Sequence, residues 1–199
     1  MNRTIIRNIF LTALIILALF GIYEGSFRSL TKAQKYIVAL GKRRQISSVE
    51  DFEKSFQEVL QYRARVSDDE IVKFIGGDVI DLISGGQQKE EVSRRLLSFV
   101  EKYSDEEDAL HLLNIGRSFH FLWINYGQKE EDFQKAEAYY TKVLERGPRL
   151  PPALYGMLDL YRAKGDAEKV LEYGNRILAL WPDDTRVITF LETIQKVHE

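Results

Sequence analysis

Two stretches near the C-terminal end of this sequence repeat one another at a fixed interval: residues 136–148 read AEAYYTKVLERGP and residues 170–182 read VLEYGNRILALWP. Their closing prolines, Pro148 and Pro182, stand 34 residues apart. A period of that length belongs to a unit of two helices that cannot bury its apolar face alone and stacks on its neighbours. The pattern points to an array that offers surface for binding, away from a catalytic fold.

The four prolines of the chain, at 148, 151, 152 and 182, leave residues 24–147 without a proline break. Helices are therefore expected throughout: after the apolar start, a helix whose Leu30, Ala33, Ile37 and Leu40 recur at helical spacing, then 49–65, 70–84, 89–103, 107–126, 132–145, 152–164, 167–180 and 185–198. Ser47 and Glu50 are spaced as a capping box. Gly85-Gly86 marks a stop, and Gly76-Gly77 inside a helix implies either a kink or a close helix contact. No stretch alternates with a sustained period of two, so the soluble part is expected to be all-α.

At the start, residues 9–23 (IFLTALIILALFGIY) carry no charge, and Arg3 and Arg7 precede them. This is a signal peptide or a membrane anchor; without small residues at alternating positions between Ala18 and Ser26 there is no cleavage pattern, which favours the anchor. Fifteen helical residues reach only about 22 Å of a core about 30 Å thick, so Ile5 and Ile6 must extend the span with Arg7 snorkelling to the headgroups. Arg3 and Arg7 before the segment and Glu24 after it place the C-terminal domain outside the cytosol, although Arg28, Lys32 and Lys35 even the count further on. Arg28, Lys32, Lys35 and Lys42, thickened by Arg43 and Arg44, form a basic stripe that either touches anionic headgroups or is simply solvated.

A net charge of −2 provides no global basic field for nucleic acid. The absence of cysteine excludes disulfides, thiol catalysis and cysteine-ligated zinc.

From about Glu107 onward the chain resembles a tetratricopeptide repeat (TPR) array. The best unit, 151–184, has Leu154, Met157, Leu158, Tyr161, Gly165, Val170, Ile177, Leu178 and Pro182 at motif positions. It departs from the family where Leu158 and Val170 stand for small residues and Gly174 for an aromatic. Leu158 is expected to fill the space left by Gly174, an exchange that keeps volume constant. The preceding unit ends in Ala136, Tyr140, Val143, Leu144 and Pro148, but its first helix is too long: Gly127 as the turn glycine requires an insertion of four residues, and Gly116 as the packing glycine requires eight. Residues 185–198 form a further first helix or a cap, with Val187, Ile188 and Leu191 inward. Residues 30–103 suit two more degenerate pairs by helix alternation alone. The expected organisation is an anchor at 1–27, a helical region at 28–106 and TPR-like repeats with a capping helix at 107–199, that is, a single transmembrane helix followed by an α-solenoid of antiparallel pairs.

The resemblance places ligands in the concave groove lined by the first helix of each pair. Arg117 and Phe121 face it under both alignments, because four residues are about one helical turn; Tyr155, Asp159 and Arg162 follow, then Arg186 and Thr189. Aromatic, guanidinium and carboxylate together suit a protein or peptide partner, against the plainer reading that Phe121 and Tyr155 only pack between helices. The asparagine and lysine set that clamps a terminal carboxylate in some TPRs is not reproduced.

No nucleophile elbow, P-loop, zinc-protease or dinucleotide motif occurs. His111 and His120 are nine apart, which is not the spacing that brings two ligands to one metal. The acidic runs at 68–70, 105–108, 130–132 and 183–184 each open a helix, where carboxylates satisfy free N–H groups. The expectation is a non-enzymatic, cofactor-free, single-pass membrane scaffold or adaptor in the cell envelope, with a protein partner and no nucleic acid. The alternatives are a subunit of an envelope-polysaccharide enzyme contributing to a composite site, and a lipid-binding adaptor using the basic stripe.

Overall fold

A computed structural model describes residues 3–42, 48–64 and 68–198, and every regular element among them is helical. The chain divides into two compact units, Met1–Val72 and Lys73–Glu199, with the division inside one helix.

The first unit is built on one long helix. α1 (Arg3–Ile22) passes through a single π-helical turn (Tyr23–Phe27) into α2 (Arg28–Lys42), and the Arg28 N–H reaches back five residues to the Tyr23 carbonyl. The helix from Arg3 to Gly41 has 39 residues and an 18-residue window of mean hydropathy 2.3, long and apolar enough to cross a membrane. Its 20-residue α1 alone covers about 30 Å at 1.5 Å per residue, a length that includes Arg3 and Arg7 in its first two turns.

α3 (Val49–Gln61) begins at Ser48, whose hydroxyl accepts from the Asp51 N–H at 3.1 Å. The cap is therefore one residue later than the expected Ser47, which lies outside the described residues. The Phe52 and Phe56 rings of α3 meet at a tilt with centroids 4.6 Å apart, and Tyr36 of α2 meets Phe56 at 6.2 Å.

That packing corrects the expected face of α2. Leu30 and Ile37 are 58% and 64% exposed, whereas Ala39 and Lys32 are buried. α3 is seated on the Lys32–Tyr36–Ala39 side, so the basic stripe loses Lys32 to the interior. Arg28 is half-buried in an ion pair with Glu24 at 3.1 Å, and Arg28 and Lys35 both lie over the Tyr62 ring. Arg43, Arg44 and the Lys42 side chain lie outside the described residues.

The second unit takes α4 (Asp68–Ser84) from Lys73 onward, then α5 (Glu90–Glu101), α6 (Ala109–Asn125), α7 (Glu130–Arg146), α8 (Pro151–Lys164), α9 (Ala167–Leu180) and α10 (Thr185–His198). From α5 to α10 each helix packs on the next in sequence, and α6 also meets α8. The core runs through Ile75, Val79, Leu97, Leu112, Leu122, Val143, Leu154, Leu160, Ile177 and Val187.

Gly76 resolves its own ambiguity: a Cβ there would stand 3.1 Å from Asn114 Nδ2 and 3.6 Å from Val100, so it marks a close approach of α4 to α6 and α5. Asn114 donates to the Lys73 carbonyl, and Asn125 of α6 to the Ile83 carbonyl at 2.8 Å.

At the interval of 34 residues the backbone repeats. Gly147 (φ −134°, ψ 80°) ends α7 and Trp181 (φ −133°, ψ 80°) ends α9; their N–H groups donate to Val143 and Ile177 at 2.9 and 2.8 Å. Leu150 donates back to the Gly147 carbonyl, and Asp184 to that of Trp181. Gly165, at φ 81°, turns α8 into α9, and Asp166 caps α9 by accepting from the Lys169 N–H.

Both glycines proposed for α6 have a role. Gly127 (φ 86°) makes the turn into α7, and a Cβ on Gly116 would stand 3.1 Å from Tyr139 Cβ of α7. The exchange of volumes, however, is not the expected one. The three atoms nearest a Cβ at Gly174 all belong to Leu191 of α10, at 2.6–3.1 Å, and those nearest Gly156 all belong to Tyr140. Large enters small between successive helices, Leu191 of α10 at Gly174 of α9 and Tyr140 of α7 at Gly156 of α8, and Leu158 is not among the atoms nearest Gly174.

Candidate functional site

The residues expected to bind a partner lie on α6, α8 and α10 of the second unit, and two groups of them come together. The first surrounds a buried polar pair. His120 of α6 is 7% exposed, its Nδ1 lies 3.3 Å from the Tyr140 hydroxyl of α7, and the two rings meet edge to face at 6.1 Å. Tyr140 can reach so far because Gly156 of α8 leaves the space open.

Arg117, Asp159 and Arg162 stand around this pair. Burial, then Arg162 and Arg117, lower the His120 pKa to about 4, which keeps the imidazole neutral at neutral pH. The Tyr140 phenol is pushed up by burial, with Arg117 opposing and Asp159 reinforcing the shift. Arg162 pairs with Asp159 at 3.1 Å and lies over the Phe190 ring of α10 at 5.7 Å. Phe121, half-buried, lies parallel to the His120 ring at 6.0 Å.

The second group sits between α8 and the start of α10. The half-buried Tyr155 donates its hydroxyl to Asp184, stacks on Trp181 at 6.4 Å and lies beneath the Arg186 guanidinium at 5.7 Å. Asp184 also accepts from the backbone of Arg186 and Val187, and these bonds hold its carboxyl below the usual range, Tyr155 contributing most. Arg186 and Thr189 are exposed. Tyr155 is thus both packed and partly open.

His120 and Tyr140 were missed as part of the site, the first weighed only as a metal ligand and the second only as packing. Trp181, Asp184 and Phe190 were missed too. The available signal was the spacing of Arg117, His120 and Phe121, which puts a guanidinium, an imidazole and an aromatic on adjoining faces of one helix.

The acidic runs act largely as helix starts. Asp108 accepts from Leu110 and His111 N–H groups, and His111 Nδ1 accepts from the Asp105 N–H at 2.7 Å. Asp132 differs: it is buried and takes both Arg94 guanidinium nitrogens at 2.9 and 2.6 Å, fastening α7 to α5. The side chains of Asp68, Asp69 and His198 lie outside the described residues. No group of three or more His, Asp or Glu side chains is gathered for a metal among the described residues.

No protein-family model matches the chain, and no curated protein matches it.

Proposed function

We propose that the chain is a membrane-anchored, TPR-like scaffold whose α6, α8 and α10 present a groove to a partner protein in the cell envelope. The observation that carries the repeat is the return of the same chain-end geometry at Gly147 and Trp181, with the same hydrogen bonds, 34 residues apart. The apolar helix from Arg3 supports anchoring. Open guanidinium and aromatic side chains on alternate helices support a docking role, since arginine and tyrosine are enriched among residues that dominate interfaces.

The test is capture from detergent-solubilised membranes by the full chain, followed by mass spectrometry. Arg117→Glu combined with Tyr155→Ala should preserve helical content and lower the melting point only modestly, through the lost contacts of Tyr155 with Asp184 and Trp181, while weakening capture by about 2 kcal/mol or more. Leu154→Ala, which truncates a fully buried side chain, should lower the melting point first. If the folded double variant captures its partner as well as the parent chain, the groove is not the docking face.

A further inference from the structure

We infer that α2 pairs with the α2 of a second copy of this chain, side by side and in the same direction, through the apolar stripe that α3 leaves open. The inference rests on the anchoring proposed above and adds a partner to it. Phe27, Leu30, Ile37 and Val38 are 57–64% exposed, and Gln34 and Gly41 are exposed beside them. At about 100° per residue these six fall within an arc of about 100°. Phe27, Gln34 and Gly41 are seven residues apart, and Leu30 and Ile37 recur at the same interval three residues on, which is the spacing of a two-helix seam. α3 is seated on the opposite side, at Lys32, Tyr36 and Ala39, and so leaves the stripe uncovered.

Lipid does not reach this stripe. With α1 in the bilayer core, Ile37 stands about 22 Å beyond Ile22 along the continuous helix Arg3–Gly41, past a headgroup layer about 5–8 Å thick. A span shifted to end at Phe27 still leaves Ile37 about 15 Å out. The charge pattern favours a second copy. Neither the six residues nor Thr31, Ala33 and Leu40 at the stripe's margins are charged, whereas Arg28, Lys32 and Lys35 lie more than about 100° round the helix from its centre. Along one edge α3 adds Lys54 and Glu58, one charge of each sign. Two chains with the same basic residues therefore meet without setting like charges face to face. Anchored in one membrane they run parallel, so a symmetric pair sets each stripe against itself. Gln34 then meets Gln34, and an amide, which both donates and accepts, is a side chain that can pair with its own copy and fix the register.

The chain has no cysteine, so single-cysteine variants of the full chain in membranes report on one position at a time. Oxidised with copper phenanthroline, Leu30→Cys and Ile37→Cys should each give a disulfide-linked species with the mass of two copies, whereas Lys35→Cys, exposed but off the stripe, should stay a monomer. Adding Ile37→Glu to Leu30→Cys should cut the linked yield about fivefold or more, and adding Lys35→Glu should leave it unchanged. Equal yields at positions 30, 35 and 37 would mean random collision and overturn the inference. So would the absence of any link at 30 and 37, or a linked species of another mass, which would mean that a different protein covers the stripe. Extraction with alkaline carbonate separates this outcome from the anchoring. A chain that stays with the membrane and remains a monomer keeps the anchor and loses the pairing; one that washes off yet links at 30 and 37 loses the anchor and keeps the seam.

Discussion

His120 shows how one side chain links packing to pH. Its pKa falls from 6.5 to about 4 in the folded protein, so between these values the unfolded chain binds the extra proton. Stability is complete above about pH 6.5 and declines as pH falls toward 4, by about 3 kcal/mol in all. Denaturation of the parent chain should show this loss and His120→Gln should not; parallel pH profiles would mean that the imidazole is not held neutral. Gly174 makes a second point at this scale. Leu191→Ala should cost about 2–5 kcal/mol as a cavity, and Gly174→Ala alone should overpack against the Leu191 methyls. The double variant should recover part of the loss, and strictly additive energies would separate the two positions. The sequence suggested that a large and a small residue had changed places, but periodicity cannot say which helix supplies the large one.

Among the elements, α9 and α10 were readable to the residue because Gly165-Asp166 and Pro182 punctuate them, each with a local reason for a turn or stop. The face of α2 was not readable. Apolar periodicity shows that a helix has a greasy side, yet α3 sits on the side of Lys32, Tyr36 and Ala39, and the isolated sequence of α2 carries no sign of that choice. Nor did local sequence tell Asp132 from the other helix-opening acids, because its partner, Arg94, lies 38 residues away. This pair gives an asymmetric prediction. Arg94→Ala strands a buried carboxylate and should cost about 3–5 kcal/mol, whereas Asp132→Ala leaves a guanidinium that is one-third exposed and can turn to water, at lower cost. Equal losses in thermal denaturation would show that Asp132 is hydrated when its partner is removed.

At the scale of the whole molecule the proposed anchoring raises the question of which side of a membrane the second unit would occupy. The flanking charges that favour an external C-terminal domain are Arg3 and Arg7 before α1 and Glu24 after it, and Glu24 is paired with Arg28 one helical turn on. That pair is neutral as a unit, so the asymmetry rests on the two leading arginines. With Lys32 also withdrawn into the interior, the positive charge directly after the span is weaker than the sequence suggests. The two leading arginines then carry the proposed orientation, with the N-terminal end on the cytosolic side. Protease added to spheroplasts should therefore remove the second unit while the anchor stays embedded. Full protection would reverse the orientation, and a mature chain beginning near Ser26 would turn the anchor into a cleaved signal. Moving the charge supplies an independent check: Arg3→Glu with Arg7→Glu should yield a mixed or inverted population, and unchanged digestion would mean that the folded second unit, and not the flanking charge, sets the topology.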